Sequence, residues 1–300
     1  MVSESNIRKS IEVLSAAPRN SKENPKHHSK AADWIASEFE NFGLEVRLQK
    51  FEIPQQAPPR TGMNVIATLN SESEEPPILI GAHYDTVPGS PGADDNASGV
   101  AATLECARIL AKSQSNRRVI FVAFDAEEMQ PPVEGLHGST AFVDELDPEL
   151  RPSAAIILET IGFSSTTLKQ KLPSSFRFLF RRAYNALKQQ NFKANSLLVL
   201  SKRDSSELSR SLEQTASQTD INLPVLPLEV PWWMPLVRNL RRSDHAPFWK
   251  AGIPAVMISD TANFRNPNYH RSSDTADTID LELVAKATHT IVAAIENGGI

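Results

Sequence analysis

Residues 81–99 read GAHYDTVPGSPGADDNASG. The stretch holds one histidine, His83, three aspartates, Asp85, Asp94 and Asp95, and four of the chain's twelve glycines. An apolar run, Pro77-Ile78-Leu79-Ile80, leads into it, and an apolar-periodic helix over residues 100–110 leads out. That order predicts a loop at the carboxyl end of a strand, where open α/β sheets carry their ligands. His83 and Asp85 stand two apart on an extended segment, so both side chains face one way. Asp94 and Asp95 are adjacent carboxylates in a glycine-rich loop. Like charges so placed repel, and a cation is the usual remedy.

Outward from this stretch the same signal repeats. Arg118-Val119-Ile120-Phe121-Val122-Ala123-Phe124 is nearly continuous in apolar residues, as a strand covered on both faces requires, and it ends in Asp125-Ala126-Glu127-Glu128. Residues 154–158 form another short apolar strand, and it ends in Glu159. Three strands in succession thus deliver imidazole or carboxylate groups at their ends. Upstream, helices are expected at Ile7, Ile11 and Leu14, and from Asn24-Pro25 through Ala31, Ile35 and Phe39 to Gly43. Residues 44–53 and 63–69 are expected to pair as an antiparallel edge. Downstream come helices at 135–146 and 246–251, a strand at 254–259, a polar loop carrying His270, and a closing helix capped by Asp280. Alternating strands and helices define an α/β class: a mixed, mostly parallel central sheet with helices on both faces. Residues 1–300 read as one domain with an insertion at about 164–241. There, 176–187 and 205–211 suit helices and 197–200 a strand. Prolines 224, 227, 231 and 235 are expected to hold the rest as loop, and Trp232 and Trp233 to pack it or line a cleft.

Composition excludes several functions. The net charge of −5 disfavours nucleic acid as a partner. No run approaches the ~20 apolar residues of a membrane span. The first residues lack the apolar core of a signal peptide, so a cytoplasmic location is expected. Cys106 is the only cysteine, which rules out an internal disulfide and a thiolate-built structural zinc site; its helical position suits a small buried hydrophobe.

The metal-ligand candidates are therefore His83, Asp94, Glu128, Glu159 and His270. Nitrogen and oxygen donors without thiolate suit a borderline divalent ion in a catalytic site. Five donors are too many for one tetrahedral ion and right for two ions if a carboxylate bridges, a role expected of Asp94 because Asp95 cannot readily face the same way. Glu127, beside a ligand, suits a general base, and Asp85 suits the acceptor for the second ring nitrogen of His83. Among the other histidines, His245 is expected near the pocket wall, and His27, His28, His137 and His289 outside the chemistry. Arg241 and Arg242 read as a solvated basic run, with contact to a substrate carboxylate as the alternative.

His83-Tyr-Asp85, Gly92-Ala-Asp94-Asp95-Asn-Ala-Ser-Gly99, Ala126-Glu127-Glu128, Leu158-Glu159-Thr-Ile-Gly162, Ser243-Asp244-His245 and the run from Gly252-Ile-Pro through Tyr269-His270 to Asp274-Thr275 together resemble the co-catalytic dizinc aminopeptidases of peptidase family M28, clan MH. The resemblance spans about residues 19–296. It implies two zinc ions per chain bridged by Asp94, with His83 and Glu159 on one and Glu128 and His270 on the other, and Glu127 as base and then acid. It further implies a cis peptide at Asp94–Asp95 and a peptide or aminoacyl substrate. Glu159 departs from the family's commoner aspartate, although the longer arm still reaches a metal. Two rival readings remain: a single-zinc glutaminyl-cyclase-like enzyme, which would be expected to lack the doubled aspartate, and a non-catalytic binding module, which would be expected to have lost ligands.

Overall fold

The computed structural model describes the whole chain except residues 55–59, 70–72, 114–115, 129–133, 174, 219 and 232–237, so the expectations for Trp232 and Trp233 fall outside the described residues. Eight strands form one mixed sheet in the order β1-β2-β4-β3-β5-β10-β8-β9. They are β1 (Glu45–Ile53), β2 (Arg60–Leu69), β3 (Ile78–His83), β4 (Val119–Phe124), β5 (Ala154–Glu159), β8 (Leu197–Ser201), β9 (Val225–Glu229) and β10 (Ala255–Ser259). The central strands β4, β3, β5 and β10 run parallel. β1 and β2 are an antiparallel pair at one edge, as expected, and β2 is antiparallel to β4. β6 (Ser165–Lys169) and β7 (Lys193–Ala194) pair separately.

The apolar runs are central strands because both of their faces are covered. Every residue of β3 and β4 is buried. Ile78, Ile80, Phe121 and Ala123 face one core, which α1 (Glu4–Leu14), α2 (Pro25–Asn41), α3 (Gly99–Leu110), α7 (Ser206–Ala216) and α9 (Leu281–Glu296) complete. Leu79, Ile120, Val122 and Phe124 face the other, with α4 (His137–Asp144), α6 (Arg181–Gln189) and α8 (His245–Lys250). The short α5 (Phe176–Leu179) precedes α6.

One expectation for the insertion is corrected. Residues 225–229 are not loop: they form β9, the outermost strand, and Pro227 is tolerated because an edge strand can spare a ladder donor. The 164–241 segment contributes to the main sheet, since β8 pairs antiparallel with β10 and carries β9.

Candidate metal centre

His83, Asp125 to Glu128, and Glu159 all lie at the carboxyl ends of the parallel strands β3, β4 and β5. Parallel pairing puts these ends at one edge of the sheet, and the loops then draw the side chains together. His83, Glu127 and Glu159 each offer one atom within 4.8 Å of the others, and Asp95, Glu128 and His270 do the same. The two groups join through Asp95. His83 Nε2 lies 3.2 Å from Asp95 Oδ1 and 3.5 Å from Glu159 Oε2. His270 Nε2 lies 3.1 Å from Asp95 Oδ2 and 3.2 Å from Glu128 Oε1.

The member of the doublet between the imidazoles is thus Asp95, and the expectation for Asp94 is corrected. The turn Ala93–Ser98 leaves helical geometry at Asp95 (φ −110°, ψ 85°) and Asn96 (φ −137°, ψ 42°), which turns Asp95 into the cluster. The cis peptide is Asp95–Asn96, one bond later than expected. Asp94 is buried on the far side: its Oδ1 accepts from Gly162 N (2.8 Å) and its Oδ2 from Asn266 Nδ2 (2.5 Å). Gly92 is required beneath this turn. Its φ is +64°, and a Cβ there would strike the Asp95 carbonyl oxygen.

The turn is held from three directions. Asp274 accepts from Asp94 N (2.9 Å) and Asp95 N (3.1 Å) with its two carboxylate oxygens. Asn96 ties the turn to β5, donating to Leu158 O (2.8 Å) and accepting from Thr160 N (3.1 Å). Arg19, fully buried, donates to the carbonyls of Tyr84 (2.6 Å), Leu14 (2.7 Å), Pro91 (2.7 Å) and Gly92 (2.8 Å), pinning the loop between His83 and Asp95 at both ends.

Asp85 does more than was expected of it. Its Oδ1 is 3.5 Å from His83 Nδ1, whose nearer partner is the Asp85 carbonyl oxygen at 3.2 Å. The two carboxylate oxygens accept from Glu127 N (3.0 Å) and Glu128 N (3.2 Å), so Asp85 sets both glutamates as well as the imidazole. His28, expected to be outside the chemistry, supports the same turn. Its Nε2 lies 2.7 Å from Asp125 Oδ1, which also accepts from Ala126 N at 2.7 Å, where the backbone has φ +54°. Ser243 Oγ donates to Glu159 Oε2 at 2.7 Å. His245 points away, its Nε2 3.0 Å from Leu240 O and its ring edge-on to Trp249. Cys106 is buried, as expected. Asn96 and Asp274 stood in the motifs that carry the resemblance without a role assigned to them, whereas Arg19 had no signal in the sequence, and His28 had only its neighbourhood in space.

Electrostatics reinforce the geometry. Burial pushes the Glu127 carboxyl well above the usual range; His83 opposes this, while Glu159 and Glu128 add to it. Burial and the charge of Asp95 raise Glu128 to about 7. Burial would lower His270, but the closeness of Asp95 and Glu128 pushes it up to about 10. Burial would likewise raise Asp95, yet His270 and His83 hold it well below the carboxylate range. Five buried atoms here have no hydrogen-bond partner: His83 Nε2, both Asp95 oxygens, Glu128 Oε1 and His270 Nε2. Buried polar atoms are seldom left unpaired. Unpaired atoms that surround one small volume, with nitrogen and carboxylate oxygen alternating, have the donor set of a divalent cation pair.

The model of Peptidase family M28 matches residues 64–295 of the chain. Escherichia coli protein YfbL is 29% identical over 288 residues, covering 93% of this chain and 83% of that protein. Aminopeptidase YwaD of Bacillus subtilis is 29% identical over 253 residues, covering 79% of this chain and 44% of its own. The chain therefore spans less than half the length of that relative. The structure of BSAP, a zinc aminopeptidase from Bacillus subtilis, superposes with a TM-score of 0.74 at 20% identity, over 99% of this chain and 95% of that one. Porphyromonas gingivalis glutaminyl cyclase gives 0.73 at 20% identity, over 99% of each chain. At these identities the two structures establish a shared fold.

Proposed function

This chain belongs to peptidase family M28, and from that premise and the geometry above we propose that it is a two-zinc exopeptidase releasing N-terminal residues from peptides. The observation that carries the reading is the set of five unpartnered buried atoms centred on Asp95. Asp95 would bridge the two ions, with His83 and Glu159 on one and Glu128 and His270 on the other. When bound, the ions would polarise the scissile carbonyl and lower the pKa of the attacking water.

The chain's own groups do the rest. Glu127 takes a proton from the attacking water on a carboxylate oxygen and returns it to the departing amine nitrogen. Burial raises its pKa above the usual carboxyl range, which favours holding the proton until the amine departs. Asp85 fixes that carboxylate by holding the Glu127 and Glu128 backbone amides, and it orients the His83 ring. Ser243 holds Glu159 in place through its hydroxyl. Asp94 plays no part in holding metal, and its role is to brace the turn through Gly162 and Asn266.

The test is metal content together with hydrolysis of an aminoacyl anilide and of its N-acetylated form. The intact protein should hold two zinc ions and cleave only the free-amine substrate. Glu127→Gln should keep both ions and lose roughly 10²–10⁴ in kcat. Asp95→Asn should fall below two ions per chain, whereas Asp94→Asn should retain both. One zinc per chain with cyclisation of N-terminal glutamine would replace this reading with the cyclase one, and a protein that binds no zinc would end both.

A further inference from the structure

Residues 160–203 contain nine lysines and arginines and no aspartate or glutamate. The rest of the chain carries 22 cations against 36 anions, so a body of charge −14 bears a segment of charge +9. Most of that segment is one small unit running β6, α5, α6, β7. The pairing of β6 with β7 closes it at its base, and ring contacts of Phe176 with Phe180 and of Tyr184 with Phe192 fill it. The seven cations from Lys169 to Lys193 are all exposed. Among the described residues only Arg182 has a carboxylate partner, Glu213 at 3.7 Å.

The same unit carries two of the large apolar side chains that the molecule exposes. Leu168 is 43% exposed and Phe178 72%. The Arg177 guanidinium sits 4.4 Å from the centre of the Phe178 ring. Phe178 is thus an apolar tip in the run Phe176-Arg177-Phe178-Leu179-Phe180-Arg181-Arg182, with cations beside it.

The Phe178 end of this surface is not a substrate subsite. Leu179 to Ala183 line one groove with Ser201 and Glu229. Ser201 pairs with Val256 near the start of β10, whereas the metal centre lies past the other end, where Ser259 pairs with Glu159. The groove is therefore at the opposite end of the sheet from the candidate centre.

We propose that the β6–β7 unit docks the protein on an anionic lipid surface, its cations on acidic headgroups and the Phe178 ring in the headgroup–acyl boundary. A soluble polyanion would satisfy the cations and leave the ring in water; a bilayer interface satisfies both. The −14 body does not prevent this, because repulsion between charges farther apart than a Debye length of ~8 Å is largely screened at physiological salt.

The test is sedimentation of the full chain with vesicles of phosphatidylcholine alone, or of phosphatidylcholine mixed with phosphatidylglycerol. Binding should occur only to the mixed vesicles and disappear at about 1 M salt, where the Debye length is ~3 Å. Reversing Arg177, Arg181 and Arg182 to Glu should weaken binding by at least about 100-fold. Phe178→Ser, at a side chain with little to lose on folding, should weaken it several-fold. Thermal unfolding and zinc content of both variants should match the intact protein, which separates this result from the fate of the peptidase reading. Failure to bind the mixed vesicles, equal binding to both kinds, or unchanged binding by the variants would overturn the proposal. So would a salt-sensitive dimer that the triple reversal abolishes without vesicle binding, since the patch would then belong to a second copy.

Discussion

Asp94 and Asp95 are chemically identical neighbours with opposite fates. Asp95 meets two imidazoles, while Asp94 is buried against an amide nitrogen and an asparagine. The turn that separates them is braced by a side chain on a distant loop. Asp274 receives the amides of both residues, and its backbone carbonyl also receives Ala93 N at 3.1 Å. Because Asp274 follows His270 by four residues, a single loop both supplies an imidazole and aims the carboxylate opposite it. Asp274→Ala should therefore weaken zinc binding by roughly 10–100-fold, as loss of a group orienting a metal ligand does elsewhere. Asp274→Asn, which keeps one acceptor, should recover part of that loss. Competition against a chromophoric chelator reads both, and equal affinities in all three proteins would remove Asp274 from the site.

At the scale of elements, the centre depends on how a strand end is joined to a helix start. β3 delivers His83, α3 begins at Gly99, and fifteen residues between them carry Asp85 and Asp95. Such a loop would be loose but for Arg19, which comes from the link between α1 and α2 and donates to carbonyls at both ends of the segment 84–92. The guanidinium is buried with no ion-pair partner among the described residues, and burial lowers its pKa to about 10, against the charges of Asp274, Asp85 and Asp95. A planar fork of five donors can serve four carbonyls at once; an ammonium cannot. Arg19→Lys should cost roughly 3–5 kcal/mol, two or more charge-assisted bonds, in chemical denaturation of the zinc-free protein. It should lower zinc affinity as well, since the loop it frees carries the donor Asp95 and Asp85, which orients His83. A variant as stable as the parent would mean the loop is held by packing alone.

The whole molecule gathers four acidic strand-end and loop groups and two imidazoles at one sheet edge, and without metal this has a cost that depends on pH. Glu128 is raised from 4.5 to about 7 and His270 from 6.5 to about 10, so the folded protein keeps protons that the unfolded chain has released. Where the folded state binds more protons, stability falls as pH rises. The zinc-free protein should therefore lose thermal stability progressively from about pH 4.5 to about pH 10. Zinc competes for the same protons, so its affinity, and the rise in Tm it produces, should grow over that range. Thermal scans with and without zinc at several pH values check this, and a zinc-free Tm that climbs with pH would contradict it. His270→Gln should flatten the upper part of the curve.

The α/β class, the parallel core, the antiparallel edge of β1 and β2, and the strand ends bearing His83, Glu128 and Glu159 were legible in the sequence. Apolar periodicity and the abrupt change to charge are local properties that survive without coordinates. β9 was not legible, because its Pro227 argues against a strand until the strand is known to lie at an edge. Nor was the choice between the paired aspartates. Side-chain direction in a turn is set by backbone angles, and those at Asp95 and Asn96 are fixed by Asp274, Leu158 and Thr160, residues 62 to 179 positions away in the chain. Which chemical groups reach the edge of the sheet is written in the order of residues along the chain. Which of two identical neighbours faces the imidazoles is settled by the folded arrangement, because that choice is made by hydrogen bonds between distant segments and leaves no period to read.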